Sequence, residues 1–128
     1  MEENVNNEPR KAKNLFYRLL SFEGRARRSE YWLVTLVLTL LMVPAFIAEI
    51  IGEEYPEYAL YAAVYILVLL IPIIYLNLAV SVRRLHDLGI NGWFVLLGSV
   101  PLLNIVFNVY IAFFKGKDED NKYGPSPY

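Results

Sequence analysis

Three apolar runs govern what this chain can fold into. Residues 31–51 carry a single charge, Glu49, and residues 58–82 and 92–114 carry none. A helix needs about 20 apolar residues to cross the hydrocarbon core of a bilayer, and each run reaches that length. Within lipid a chain must satisfy its own backbone polar groups, which a helix does. The sequence therefore predicts an all-α integral membrane protein with three apolar helical segments. The first run is too long for the apolar core of a signal peptide and follows a polar stretch, MEENVNNEPRKAKN, so it is expected to stay in place as a helix.

Charge sets the expected orientation. Residues 10–30 hold Arg10, Lys11, Lys13, Arg18, Arg25, Arg27 and Arg28 against Glu23 and Glu30. The loop GEEYPE, 52–57, has three glutamates and no cation, and the second loop has Arg83 and Arg84. Lysine and arginine collect on cytoplasmic flanks, which predicts a cytoplasmic amino terminus, GEEYPE outside and RRLHD inside. Tyr31, Trp32, Tyr55, Tyr58, Tyr61 and Trp93 fall where interfacial aromatics belong.

The chain divides accordingly. Residues 1–13 read as a disordered polar tail. Residues 14–28 read as a short interfacial amphipathic helix, with Leu15, Leu19 and Phe22 at helical spacing, followed by a basic turn. Ser29 is a reasonable N-cap and Glu30 complements the helix dipole. Spans are expected at 30–51 and 58–82, with a cytoplasmic loop at 83–91. A third segment at 92–114 precedes a polar tail at 115–128. Gly98, Pro101 and Asn104 interrupt that third segment. A kinked span would put the tail outside. A broken, re-entrant hairpin would keep it inside, provided that protein covers its turn.

Four polar residues lie in or near the spans. Asn77 and Ser81 share a helical face, as do Asn104 and Asn108, each pair being four apart. Amides in hydrocarbon seek partners, so they read first as glue between helices and second as the lining of a pore. The polar stretch SVRRLHDLGINGW, 81–93, is the other oddity. It reads as an anchored hinge whose Arg83, Arg84, His86 and Asp87 lock one face. The alternative is an acid–base pair of His86 and Asp87. No cysteine and one histidine are present, which excludes disulfides, thiol chemistry and metal cages built on them.

Three motifs carry a resemblance. FEGRARRSEYW (22–32), RRLHDLGINGWF (83–94) and NKYGPSP (121–127), in this order, resemble a family of small bacterial inner-membrane proteins known only as domain of unknown function 805. Phe94 stands where that family often has a second tryptophan, and Ser126 where it often has an aspartate. The resemblance implies a compact multi-span helical protein without an established activity. The polar residues of the three motifs make a candidate cluster: Arg25, Arg28, Glu30, Arg83, Arg84, His86, Asp87, Asn121 and Tyr123. Such a cluster requires the tail to lie on the same side as the other two motifs.

The function expected from these features is non-enzymatic: a membrane interaction, scaffold or regulatory protein, working as a homo-oligomer or with a membrane protein partner. The amino-terminal basic segment would meet an anionic inner leaflet. No cofactor, metal or nucleic acid is expected. The alternatives are an oligomeric small channel, transporter or permeabilising effector and, further off, a lipid-headgroup-modifying enzyme using His86 and Asp87.

Overall fold

A computed structural model describes residues 15–128, so the polar tail expected at 1–13 lies outside the described residues. Four α-helices follow in order: α1, Leu15–Leu20; α2, Arg28–Gly52; α3, Pro56–Asp87; and α4, Pro101–Phe113, preceded by a 3-10 helix, Gly92–Ser99. The only β-bridge among the described residues joins Asn121 and Gly124 in the tail.

Helices α2 and α3 are long and apolar enough to cross a membrane. They form an antiparallel pair joined by three residues, with Pro56 preset at the start of α3. Small residues at the seam, buried Ala45, Ala62 and Ala79, let the backbones approach. The tyrosine Tyr65 donates its hydroxyl to the Leu41 carbonyl across the pair. Most remaining side chains of both helices point outward and are large and apolar, as lipid-facing surfaces are.

The polar stretch at 83–87 is helical rather than a loop. Helix α3 has 32 residues, or roughly 48 Å at 1.5 Å per residue, well beyond a hydrocarbon core of about 30 Å. Its last turns project from the apolar layer and carry Arg83, Arg84, His86 and Asp87. The helix ends in a Schellman motif. Gly89 has φ +77°, its N–H donates to the His86 carbonyl, and the Ile90 N–H donates to the Leu85 carbonyl.

Ser29 does not cap α2. The helix begins two residues earlier than that cap implies, at Arg28, with extended Arg27 at the cap position and no side-chain cap bond. The cause is long-range: the Ala26 N–H donates to the Arg83 carbonyl, fixing the entry to α2 against α3. Glu30 sits in the first turn, as the dipole favours. Helix α1 packs on α3 through Tyr75, whose hydroxyl donates to the Leu20 carbonyl and whose ring meets Phe22 edge-on at 5.2 Å. Phe16, Tyr17 and Leu20 stay exposed, an apolar face of the kind an interfacial helix presents.

The third segment folds as a hairpin, a 3-10 helix followed by α4, rather than as one continuous helix. Helix α4 has 13 residues, about 20 Å, and cannot span alone. The 3-10 helix begins beside the end of α3, where Gly92 lies against Val82 and His86. The far end of α4 returns to the same place: Ile111 accepts from Arg84, and Phe113 accepts from Arg28. Asn104 makes the reversal possible. Its Nδ2 donates to the Gly98 carbonyl, its backbone N–H donates to the Val100 carbonyl, and Asn108 bonds Asn104 in turn. The turn at 98–101 thus brings its own amide to cover carbonyls that lipid would leave bare.

The chain's lack of native cysteine permits single-cysteine labelling. Ser21→Cys and Ser126→Cys should react with an impermeant thiol reagent from one side of sealed vesicles, and Glu54→Cys from the other. A Ser126→Cys label on the Glu54 side would contradict the hairpin.

Candidate functional site: a buried ionic lock

The last carbonyls of a helix have no partner within it. In α4 that end is packed against α2 and α3, and each such carbonyl from residues 110–114 has a named donor. Tyr110 receives the Phe114 N–H, and Ile111 receives Arg84 Nε at 2.8 Å. Ala112 receives the Trp32 indole N–H at 3.2 Å, and Phe113 receives Arg28 Nη1 at 3.3 Å. Phe114 receives Arg84 Nη2. Arg84 therefore caps α4, and its positive charge sits where the helix dipole favours a cation.

Arg84 is wholly buried, and a buried cation requires a buried anion. Asp87, one turn on, supplies it. The Asp87 carboxylate also takes Arg25 Nε at 3.1 Å and the Tyr128 hydroxyl at 2.6 Å. Two guanidiniums and a phenol converge on one carboxylate with no exposed surface. Its backbone carbonyl is used as well, by the Lys117 N–H at 3.0 Å and by Arg25 Nη2.

Arg25 ties the tail to this centre. Its Nη1 donates to the Glu119 carbonyl at 2.7 Å, and its Nη2 donates to the Lys117 carbonyl. Gly24, with φ +86°, lets the chain turn so that Arg25 points inward. Gly116 passes so close to Asp87 that a Cβ there would overlap the carboxylate. Asn121 Nδ2 donates to the His86 carbonyl at 2.9 Å, while its Oδ1 accepts the Tyr123 N–H and shapes the tail turn.

A second pair lies alongside. Glu30 receives Arg83 and Arg18, both at 2.5 Å. Arg83 is 1% exposed, and its Nε and Nη2 have no partner among the described residues. His86 is turned elsewhere. Its Nδ1 lies 3.1 Å from the Gly24 carbonyl, and its ring stacks on Tyr123 at 3.9 Å. No ion pair or hydrogen bond joins His86 to Asp87 among the described residues, so the acid–base pairing weighed from the sequence does not form.

The nine residues of the expected polar cluster all lie at this end of the molecule, brought together by the hairpin. The intramembrane set divides. Asn104 and Asn108 are spent within the hairpin, and Asn108 Oδ1 also accepts the Tyr31 hydroxyl at 3.2 Å. Ser81 is buried at the base of the knot, whereas Asn77 is exposed. Sequence reasoning missed Tyr128, Gly116 and the capping role of Trp32. Only the GP-containing tail hinted at a defined turn, and nothing local to 116 or 128 pointed at Asp87.

Comparisons with known proteins find relatives among inner membrane proteins. The family described as "Protein of unknown function (DUF805)" matches residues 19–125. The inner membrane protein YhaI of Escherichia coli (strain K12) is 35% identical over 111 residues, covering 84% of this chain and 86% of that protein. The inner membrane protein YhaH of the same strain is 28% identical over 110 residues, covering 84% and 88%. No solved structure matches.

Removing one partner from a buried ion pair costs about 3–5 kcal/mol, because the other charge is left uncompensated. Asp87→Asn should lower stability by that order in detergent unfolding and free the tail for protease cleavage after Lys115 or Lys117. Gly116→Ala should do the same by displacement. Asp118→Asn, which breaks the exposed Lys115 pair, should change stability by no more than about 1 kcal/mol.

Proposed function

The chain belongs to the DUF805 family of membrane proteins, and from that premise we propose a non-enzymatic inner-membrane interaction protein that works by self-association through α3. Its polar end faces the cytoplasm and the anionic inner leaflet, a placement supported by the cationic excess of residues 10–30 over the acidic GEEYPE loop.

One observation carries the reading. Asn77 stands ten residues before Asp87, roughly 15 Å along α3 from the polar end, on the lipid-facing side. It is exposed and has no hydrogen-bond partner among the described residues. Exposed Leu70, Ile74 and Leu78 surround it on the same face. An amide left in hydrocarbon is costly. A second copy related by a two-fold axis offers the same amide from the same face, so each would satisfy the other. The lock supports a structural role for the motif charges. Asp87 is taken up by Arg25, Arg84 and Tyr128, and His86 bonds Gly24 and stacks on Tyr123, so the two are held apart as structural groups. Asn104 and Asn108 bond within the hairpin, which removes the polar lining that a channel would draw on.

Interhelical amide contacts contribute about 0.6 to 2 kcal/mol. Asn77→Leu should weaken the oligomer by about 3- to 30-fold, read by single-molecule photobleaching or native mass spectrometry in lipid. Asn77→Cys should crosslink to itself. Asn104→Leu should lower stability and leave the association of the folded protein unchanged. A strictly monomeric wild-type protein across lipid dilution would overturn the reading.

A further inference from the structure

A second surface at the polar end has the chemistry of a ligand seat. A cleft of about 540 Å³ opens between α1 and the start of α2, lined at its rim by Arg18, Arg27, Ser29 and Glu30 and at its floor by Leu33 and Val34. Pro127 of the tail closes one side. Arg27 is exposed and joins no ion pair among the described residues; its guanidinium rests 5.8 Å over the Tyr128 ring. Glu30 is shared by Arg18 and Arg83. Directly behind it Arg83, buried, leaves Nε and Nη2 unpartnered.

The charge does not balance. Two guanidiniums, Arg18 and Arg27, line the cleft beside one carboxylate, Glu30, whose charge is already shared with the buried Arg83. Anions are the complement, and guanidinium forks match phosphate oxygens. The floor specifies the rest. Leu33 is 63% exposed and lies about one turn deeper in α2 than Glu30, toward the hydrocarbon. A cationic rim above an apolar, membrane-directed floor fits a molecule with an anionic head and an acyl chain. A free phosphate would satisfy the rim and leave the floor unused.

We propose that this cleft is a specific seat for one anionic phospholipid, with its phosphodiester on Arg18 and Arg27 and an acyl chain along Leu33 and Val34. The seat is built within a single copy and does not depend on the Asn77 contact, so a monomeric protein would keep it.

The test uses the full chain, purified and equilibrated with phosphatidylglycerol or phosphatidylcholine, with retained lipid counted by native mass spectrometry. One phosphatidylglycerol should be retained in preference to phosphatidylcholine. Arg18→Gln/Arg27→Gln should reduce that retention by at least about tenfold, since each basic residue at an anionic surface contributes about fivefold. Leu33→Trp, which fills the floor without altering charge, should reduce it as well. Lys115→Gln/Lys122→Gln removes the same charge from exposed tail positions and should leave retention unchanged. Equal losses in both double variants would mean general adsorption and would overturn the seat. Insensitivity to Leu33→Trp, or displacement of the lipid by millimolar inorganic phosphate or glycerol phosphate, would overturn the lipid in favour of a soluble phosphate. Because Glu30 keeps Arg83 when Arg18 is replaced, unchanged unfolding of the variants separates lost binding from lost fold.

Discussion

The structure depends on how one helix end is satisfied. Helix α4 stops against α2 and α3, with the Ile111 carbonyl buried and the next three carbonyls from part-buried to exposed. Each unpartnered carbonyl there would cost on the order of a lost hydrogen bond. Arg28, Trp32 and Arg84 answer them. Burying Arg84 then demands Asp87, and Asp87 accommodates Arg25 and the Tyr128 hydroxyl. Arg25 in turn holds the tail. One requirement, capping the end of α4, links the charged residues to one another.

This sequence of demands explains why the lock is worth its desolvation. A buried ion pair is often no more stabilising than an apolar substitute of the same volume. Here an apolar substitute for Arg84 would leave the Ile111 and Phe114 carbonyls bare. The guanidinium is used as a rigid fork of donors as much as a charge. Lysine would present a single ammonium and could not reach carbonyls three residues apart while also meeting Asp87. The planar stack of His86 on Tyr123 closes the other side of the tail turn, where Asn121 ties it to the end of α3.

How much of this was legible in the sequence varied with range. The two spans were: uninterrupted apolar runs placed them at 30–51 and 58–82, close to Arg28–Gly52 and within Pro56–Asp87. The end of α3 was not, because Arg, His and Asp read as loop until their partners are known. Gly89 alone marked the true stop. The third segment was ambiguous for a sharper reason. Gly98 and Pro101 have the same local effect in a kinked span and in a reversed hairpin. What decides is whether distant donors exist for the α4 end, and Arg28, Trp32 and Arg84 lie in other parts of the chain. The four-residue spacing of Asn104 and Asn108 correctly put them on one face, yet its partner, the Gly98 carbonyl, is visible only once the chain has turned back.

The motifs that carry the family resemblance are, with few exceptions, the residues that build the lock. Arg25, Arg28, Trp32, Arg84, Asp87 and Asn121 each make a bond that holds the hairpin or the tail. The resemblance is thus a signature of a frame: two long apolar helices, a hairpin and a tail packed against their polar end. Such a frame leaves its chemistry open. The features with unspent capacity lie mostly outside those motifs. Asn77 offers an unanswered amide to the lipid face, and Arg18 and Arg27 offer charge beside an exposed Leu33. Glu30 belongs to both sets. It fixes Arg83 within the frame and, through Arg18, holds the rim of the cleft.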